Sequence, residues 1–427
     1  MPDLKEPVLA RIWAAATTTA APVLRLNLRR RAGRGKEIAA RLPERWGEDP
    51  TPRPPGRLLW LHAASVGETT SILPVLSALA TADVTILLTT GTVTSAELLA
   101  RRLPELGLQN RVLHRFVPLD VPAWAERFLD HWRPDAAGFI ESELWPNLLA
   151  GCRARGTPMM LINARISAGS HANWQRIPAM ARSVLASFAR VQARGDEDAQ
   201  RLGALGAPVV DSPGDLKFAA PPLPADPVEL AHLRQMLAGR PVWLAASTHP
   251  GEETEVAAAH RIIARTHPGL LTIIAPRHPL RGAELAAALH APRRALGHLP
   301  PAGGGIWIAD TLGELGLWYR LAPVALVGRS LVPPGGGQNP LEPTRLRCAI
   351  VVGPHTSNFT DHIALLRGVD AITKVTGAPS LAAAVAALLD DEPTRCARVD
   401  RAFAAVQRHA GLPAYTADAL LSLLPQV

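Results

Sequence analysis

Leu58-Leu59-Trp60-Leu61-His62-Ala63-Ala64-Ser65-Val66-Gly67-Glu68 decides the fold. The apolar run reads as a buried strand, the small residues as a turn, and a helical pattern opens at Thr69. Strand, turn, carboxylate, helix is the order found at the carboxyl end of a strand in a doubly wound sheet, where α/β proteins bind ligands. The turn lacks the lysine and the glycine spacing of a phosphate-binding loop. Glu68 then has two readings: a capping acid favoured by the helix dipole, or a general base. The dipole holds a carboxylate ionised, whereas a closed apolar cleft raises its proton affinity; the sequence leaves that contest open.

The same rhythm extends outward in both directions. Strand candidates are Arg57–His62, Val84–Thr89, Val112–Val117, Ala136–Glu141, Pro158–Asn163 and Arg190–Arg194, with helical patterns such as Thr70–Leu79 and Ser95–Arg102 between them. This alternation predicts a parallel sheet covered on both faces. Four prolines in the nine residues Ala219–Pro227 interrupt it and make a stiff connection. The rhythm restarts at Val242–Ala246 and continues through Leu271–Ala275, Ile306–Ala309, Val324–Val327, Ala349–Val352 and Ala371–Val375. Asp391 to Leu424 reads as C-terminal helices that can fold back on the first half. Two α/β halves joined by a hinge predict an inter-domain cleft, a preferred ligand site.

Composition narrows the class. A chain of 427 residues, 48% apolar and 19% charged, is globular and long enough for two or three domains. Three scattered cysteines, Cys152, Cys348 and Cys396, form neither a disulfide framework nor a metal knuckle, as expected in a reducing cytosol. The net charge is +8, yet aromatics are only 4%, against a nucleic-acid-binding surface of basic and aromatic side chains. Pro7 to Leu28 is mostly apolar but broken by Arg11, Pro22 and Arg25, so it is no confident spanning helix. Arg29-Arg30-Arg31, Arg34, Lys36, Arg41 and Arg45 follow it. An apolar segment before a basic cluster reads as a surface anchor on an anionic membrane; the plainer alternative is an amphipathic helix packed on the first domain.

Other strand ends carry polar clusters. Glu141-Ser142-Glu143-Leu144-Trp145-Pro146-Asn147 follows Ile140, with Pro146 suited to the first position of a helix. Its two carboxylates, at i and i+2 on a strand, share a face. Arg165, after Leu161–Ala164, suits either a bidentate anion contact or a structural salt bridge. Lys217, one of only four lysines, lies near the hinge, where the plain alternative is a solvated linker charge. In the second half, Ser247–Glu253, Pro276-Arg277-His278-Pro279, Gly313-Glu314-Leu315, Gly328-Arg329-Ser330 and Gly335-Gly336-Gly337-Gln338-Asn339-Pro340-Leu341-Glu342 all sit at strand ends or helix starts. The glycines let backbone approach a ligand, and a helix start favours an anionic group. Together they describe a nucleotide pocket. No HExxH, CxxC pair or nucleophile elbow is present, and the histidines are scattered, so a metal site has no support in the sequence.

These motifs resemble the bacterial Kdo transferases, which move 3-deoxy-D-manno-octulosonic acid (Kdo) from CMP-Kdo to a lipid A precursor in lipopolysaccharide synthesis. The similar segments run in family order from about Arg45 to Phe359 and include Ser65–Glu68, Glu141–Asn147, Asn163–Ser167, Gly214–Phe218, Ser247–Glu253, Gly313–Leu315, Asn339–Glu342 and Gly353-Pro354-His355. The resemblance implies a GT-B fold of two Rossmann-like doubly wound domains facing an inter-domain cleft. The expected layout is a membrane-associating segment over 1–45, an acceptor domain over 46–218, a linker over 219–227 and a CMP-Kdo domain over 228–427. It implies an inverting transfer without metal or cofactor, by a peripheral or monotopic enzyme on the cytoplasmic face of the inner membrane. The expected partners are CMP-Kdo, a lipid A precursor (lipid IVA) and anionic lipids, with no nucleic acid. Carried over by motif, Glu68 resembles the base, and Glu141 and Lys217 resemble supports of the transition state. Pro276, Arg277, Gly313, Glu314, Leu315, Asn339, Pro340, Leu341 and Glu342 resemble the CMP site. The chain departs from the family pattern at Gln338 for His, Arg329 for Gly, Asp215 for Asn or Ser, and Ala219 for Asp. The competing enzyme reading is a sugar-nucleotide epimerase of similar build, which leaves the basic apolar N-terminus unexplained.

Overall fold

The computed structural model describes residues 7–425. Residues 1–6 of the N-terminal segment lie outside the described residues. The chain divides into two compact units. The first runs to Ala220 and takes up the chain again from His409; the second is Pro221–Arg408.

The first unit is built on β1 (Leu58–Ala63), β2 (Thr85–Thr90), β3 (Val112–Phe116), β4 (Ala136–Ile140), β5 (Met159–Ala164), β6 (Arg190–Ala193) and β7 (Val210–Asp211). All pair in parallel, in the order β3-β2-β1-β4-β5-β6-β7. Its helices begin with α1 (Val8–Ala32), α2 (Val66–Ala78), α3 (Val93–Glu105), α4 (Pro122–Trp132) and α5 (Pro146–Ala154). β1, β4 and β5 are buried along their whole length, because helices cover both faces of the sheet. One core packs Trp60, Phe128, Trp132 and Phe139 on one face. The other face packs Leu59, Ile72, Val75 and Leu88. That second core also takes Leu420, from the C-terminal helix Leu412–Leu421, and Gln192 and Thr416 exchange hydrogen bonds at 2.9 and 3.0 Å beside it.

The second unit repeats the design with β8 (Val242–Thr248), β9 (Leu271–Pro276), β10 (Gly305–Ile308), β11 (Val324–Val327), β12 (Ala349–Val352) and β13 (Ile372–Lys374). Their order is β10-β9-β8-β11-β12-β13, all parallel. The proline-rich segment enters this unit and lies on the helix Leu315–Leu321. A Cβ on Gly316 would sit 2.1 Å from the Pro224 carbonyl oxygen, so only glycine admits that approach.

Strand order reverses between β1 and β4 in one sheet and between β8 and β11 in the other. The carboxyl ends of those pairs are the switch-point crevices of the two sheets.

α1 is longer and more regular than its composition suggests, and Pro22 lies inside it. It packs by Trp13 Nε1 donating to Asp120 (2.7 Å) and Asn147 Nδ2 donating to Thr17 Oγ1 (3.2 Å). A stripe of Val8, Leu9, Ile12, Val23 and Leu26 stays exposed, Val8 at 70% and Val23 at 68%. Among the described residues no helix is long and apolar enough to cross a membrane. The basic cluster in the last turn of α1 and beyond it splits in two. Arg45 is buried against Glu37 (3.0 Å) and Arg41 pairs with Glu44 (2.6 Å), so both are structural. Arg29, Arg30, Arg34 and Lys36 are exposed.

Candidate functional site

The first switch point gathers four charged groups. α2 starts at Val66, three residues before the expected Thr69, with Ser65 as its N-cap. Glu68 is 7% exposed and held at both oxygens: the Ala64 N–H donates to Oε2 and the Ser65 hydroxyl to Oε1, each at 2.7 Å. Burial pushes its proton affinity above the usual glutamate range. The Ser65 and Ala64 hydrogen bonds oppose this, and the nearby Glu143 and Glu141 add to it. Burial outweighs the hydrogen bonds that favour the ionised form.

Glu141 and Glu143 do not share a strand face. β4 ends at Ile140, and Glu141 turns the chain through a left-handed conformation, φ 59°. Its carboxylate meets Lys217 Nζ at 3.0 Å. Glu143 turns elsewhere, with Oε2 3.4 Å from His62 Nε2, and it accepts from the Trp145 indole N–H. Burial raises the proton affinity of Glu143, but His62 and Trp145 outweigh burial and hold it below the usual range. His62 is fully buried, and its Nδ1 lies 3.0 Å from Thr89 Oγ1 and 3.2 Å from Thr89 O. Nothing in an apolar strand marks such a histidine; the signal that could have found it is its position, last but one in a strand ending at the switch point.

Lys217 is no free linker charge. Asp215 accepts from the Lys217 N–H (2.9 Å) and from Asn163 Nδ2 (3.0 Å), and Asn163 Oδ1 accepts from the Leu216 N–H (2.9 Å). This lattice fixes the short turn Leu216–Phe218 and so the lysine that reaches Glu141.

The second unit has a pocket of about 250 Å³ at the carboxyl ends of β8, β9 and β10. Pro276, Arg277, Gly313, Leu315 and Glu342 line it, as do Ser247 and Gln338, from segments read as a nucleotide pocket, and Trp318, which was not predicted for it. Arg277 is exposed. Glu342 is largely buried, which raises its proton affinity against the pull of Arg345, Asn339 and Arg277. Glu314 is not among the lining residues: its carboxylate is bonded to Arg294 (2.8 Å) and to the Thr311 hydroxyl. Asn339, Pro340 and Leu341 stand behind the wall. Asn339 Oδ1 caps the Leu341 N–H at 3.0 Å, and Leu341 is fully buried. The triple glycine takes φ of 61°, 113° and 78°. It packs on the chain itself, with Cβ positions 2.2 Å from His355 and 2.5 Å from Asn358.

The acids of Ser247–Glu253 are structural. Glu252, fully buried, accepts from the backbone N–H groups of His249, Arg329, Ser330 and Leu331 at 2.7 to 3.0 Å. It ties the loop after β8 to the loop after β11, across the switch point. Glu253 takes Arg281 (2.6 Å) and the Thr248 hydroxyl (2.9 Å).

Two Rossmann-like units, one with an oriented buried carboxylate and one with a nucleotide-sized pocket at its strand ends, define an enzyme of GT-B type. A UDP-GlcNAc 2-epimerase of Neisseria meningitidis has the same architecture, with a TM-score of 0.54 over 86% of this chain and 100% of that one; at 12% identity the likeness speaks for the fold alone. Residues 40–220 match the family described as 3-deoxy-D-manno-octulosonic-acid transferase (kdotransferase). The 3-deoxy-D-manno-octulosonic acid transferase of Bordetella pertussis is 35% identical over 430 residues, covering 96% of this chain and 98% of that one. A probable mitochondrial 3-deoxy-D-manno-octulosonic acid transferase of Arabidopsis thaliana is 34% identical over 398 residues, 89% of this chain and 88% of that one. The chain belongs to the Kdo transferase family, and is a glycosyltransferase.

Proposed function

We propose that the protein transfers Kdo from CMP-Kdo to a sugar hydroxyl of a lipid A precursor, lipid IVA, with inversion and with Glu68 as general base, in lipopolysaccharide synthesis. The observation that carries this reading is Glu68 itself: buried, fixed at both oxygens and raised in proton affinity at the switch point of a Kdo transferase. The acceptor oxygen attacks the anomeric carbon as its proton passes to Glu68. The bond to the CMP phosphate breaks, and its electron pair leaves with CMP. Positive charge builds on the sugar, and a fixed carboxylate stabilises it electrostatically; Glu141, oriented by Lys217, supplies one. Negative charge grows on the leaving phosphate, and Arg277 in the second unit's pocket offsets it, a role that asks for no metal ion or cofactor.

The exposed stripe of α1 and the free cations at its end suit the cytoplasmic face of the inner membrane. Apolar side chains enter the acyl boundary, and each arginine or lysine near anionic lipid adds about 1 kcal/mol. Mass analysis of the product from CMP-Kdo and lipid IVA, with the anomeric configuration of the new bond, tests donor, acceptor and stereochemistry together. A retained configuration, or Kdo released to water only, overturns the reading.

A further inference from the structure

The loop after β11 presents a cation that takes no part in the contacts of the fold. Arg329 is exposed, and its guanidinium has no hydrogen-bond or ion-pair partner among the described residues. Its backbone stands at φ 55°, a left-handed conformation that glycine adopts freely and a long side chain adopts at a cost. Both of its backbone polar groups are nonetheless fixed. The N–H donates to Glu252 Oε2 at 2.7 Å, and the carbonyl accepts from the Gly337 N–H at 2.7 Å. A fully buried carboxylate and a left-handed turn thus hold in place a side chain that packs on nothing charged or polar. Such an outlier points to function more than to packing.

Its neighbours put it at the edge of the second unit's pocket. The Glu252 oxygen that takes the Arg329 N–H also accepts from the His249 N–H at 3.0 Å, so the loops after β8 and β11 meet at one atom. Gly328 lets the chain pass close to Ser247: a Cβ there would sit 2.4 Å from the Ser247 carbonyl oxygen. On the other side, the Gln338 N–H donates to the Gly328 carbonyl at 3.0 Å. Ser247 and Gln338 line the pocket, and Arg329 does not. Arg329 is therefore held between two wall residues and just outside the wall. A group that meets its guanidinium projects from the pocket's edge.

The charge at this edge is unmatched. Arg277, whose N–H donates to the Thr248 carbonyl at 3.0 Å, is exposed, and its guanidinium likewise has no hydrogen-bond or ion-pair partner among the described residues. The acids of the loop are taken, Glu252 by four backbone N–H groups and Glu253 by Arg281 and the Thr248 hydroxyl. His249 adds no third charge. Burial, Arg329, His278 and Arg277 lower its proton affinity, and its Nε2 lies 3.1 Å from the Gln338 amide nitrogen. Two guanidiniums beside the Ser247–His249 loop suit a ligand with two adjacent negative groups.

We propose that Arg329 binds the carboxylate of the donor sugar, beside the phosphate that Arg277 faces, and so selects donors whose transferred sugar carries an acid at the anomeric carbon. The inference rests on the proposed use of CMP-Kdo and adds a residue that reads the sugar and not the nucleotide. In that donor the carboxylate and the phosphate oxygen are bonded to the same carbon, so a group holding the carboxylate must stand next to the phosphate contact. A guanidinium fork matches the two carboxylate oxygens in a way a lysine does not. It orients the sugar but does not stabilise positive charge on it, so its effect belongs to donor binding and not to kcat.

The test uses the full-length enzyme with CMP-Kdo, the acceptor, and CMP as inhibitor. Arg329→Gly removes the guanidinium and relieves the left-handed backbone while keeping the N–H that Glu252 holds. Donor KM should rise about 10- to 100-fold with kcat nearly unchanged, while the inhibition constant of CMP stays within about twofold. Tm should stay equal or rise, which the loss of a structural arginine would not allow. Arg329→Lys should recover part of the donor affinity. Equal weakening of CMP and CMP-Kdo would put Arg329 on the nucleotide phosphate and overturn the assignment. An unchanged donor KM, or a lowered Tm, overturns it as well. A wild type that binds CMP but transfers no Kdo strikes the proposed function, a separate failure visible in the same assay.

Discussion

Replacing Glu68 with glutamine separates its chemistry from its packing. The two side chains are nearly isosteric. In the wild type Oε2 accepts from the Ala64 N–H and Oε1 from the Ser65 hydroxyl, both at 2.7 Å. An amide oxygen keeps the first bond, and an amide N–H can donate to the serine oxygen, because a hydroxyl both donates and accepts. The fold should survive, and the transfer should not. General-base assistance contributes about 10²–10⁴-fold, or roughly 2.7–5.4 kcal/mol in the barrier. CMP affinity should be unchanged, since the pocket proposed for the nucleotide belongs to the other unit. Burial raises the Glu68 pKa, and the base works ionised, so wild-type kcat/KM should fall on the acid side as pH drops through a value above the usual glutamate range. Stability runs the other way. A carboxyl raised on folding contributes stability that is fully present below its unfolded pKa and is lost as pH rises through the folded pKa. At neutral pH the charge is a net cost, and Glu68→Gln should show an equal or higher Tm. Initial rates across pH, CMP calorimetry and a thermal melt check the three parts. Turnover within about threefold of wild type refutes the role of Glu68 as a base; a lower Tm at neutral pH refutes the burial argument.

Three further outcomes follow from named contacts. Lys217→Ala leaves Glu141 without its 3.0 Å partner, and loss of one charge-assisted bond, about 1.5–3 kcal/mol, should reduce kcat roughly 10- to 100-fold in steady-state kinetics, with Lys217→Arg intermediate. If the ionised Glu342 carboxylate accepts the ribose hydroxyls of CMP, its burial-raised proton affinity means that CMP should bind more weakly as pH falls through that raised value; Glu342→Gln should then flatten the pH dependence in a calorimetric titration and weaken binding about tenfold. Ile12→Asn with Val23→Asn alters only the exposed stripe of α1 and leaves Trp13–Asp120 and Thr17–Asn147 intact. Co-sedimentation with anionic vesicles should drop at least tenfold, given roughly 1.5–3 kcal/mol for each fully buried apolar side chain, while activity on detergent-dispersed acceptor persists.

The fold was legible because a parallel sheet covered on both faces writes its strands as unbroken apolar runs. Twelve expected strands match β1–β6 and β8–β13 within about two residues, as boundary fraying allows. β7 escaped, since two residues at a sheet edge, Val210–Asp211, carry no run to read. The candidate site was legible only in part. Glu68 announced itself by standing after a strand, and Arg277 by standing in a polar turn. His62 did not, because a histidine inside Leu58–Ala63 looks like core until the Glu143 loop is folded over it. Likewise the pairing of Glu141 with Lys217 depends on one positive φ and a turn 76 residues further on, neither of which has a local signature.

Asp215 shows how a departure from a family pattern is best read. On charge alone, an aspartate two residues before Lys217 looks set to weaken the lysine's grip on Glu141. Its Oδ1, however, is taken by the Lys217 N–H and by Asn163 Nδ2, and Arg194 stands 3.9 Å from Oδ2. What position 215 requires is a short side chain whose oxygen caps the next turn, and Asp, Asn and Ser all meet that requirement. The negative charge is compensated by Arg194 and the Lys217 N–H, leaving the ammonium to Glu141. The substitution therefore keeps the geometry on which the proposed transition-state support depends. Asp215→Asn should leave kcat within about twofold, whereas Asp215→Ala, which leaves the Lys217 N–H and Asn163 without an acceptor, should cost roughly 1–3 kcal/mol of stability and lower kcat with it.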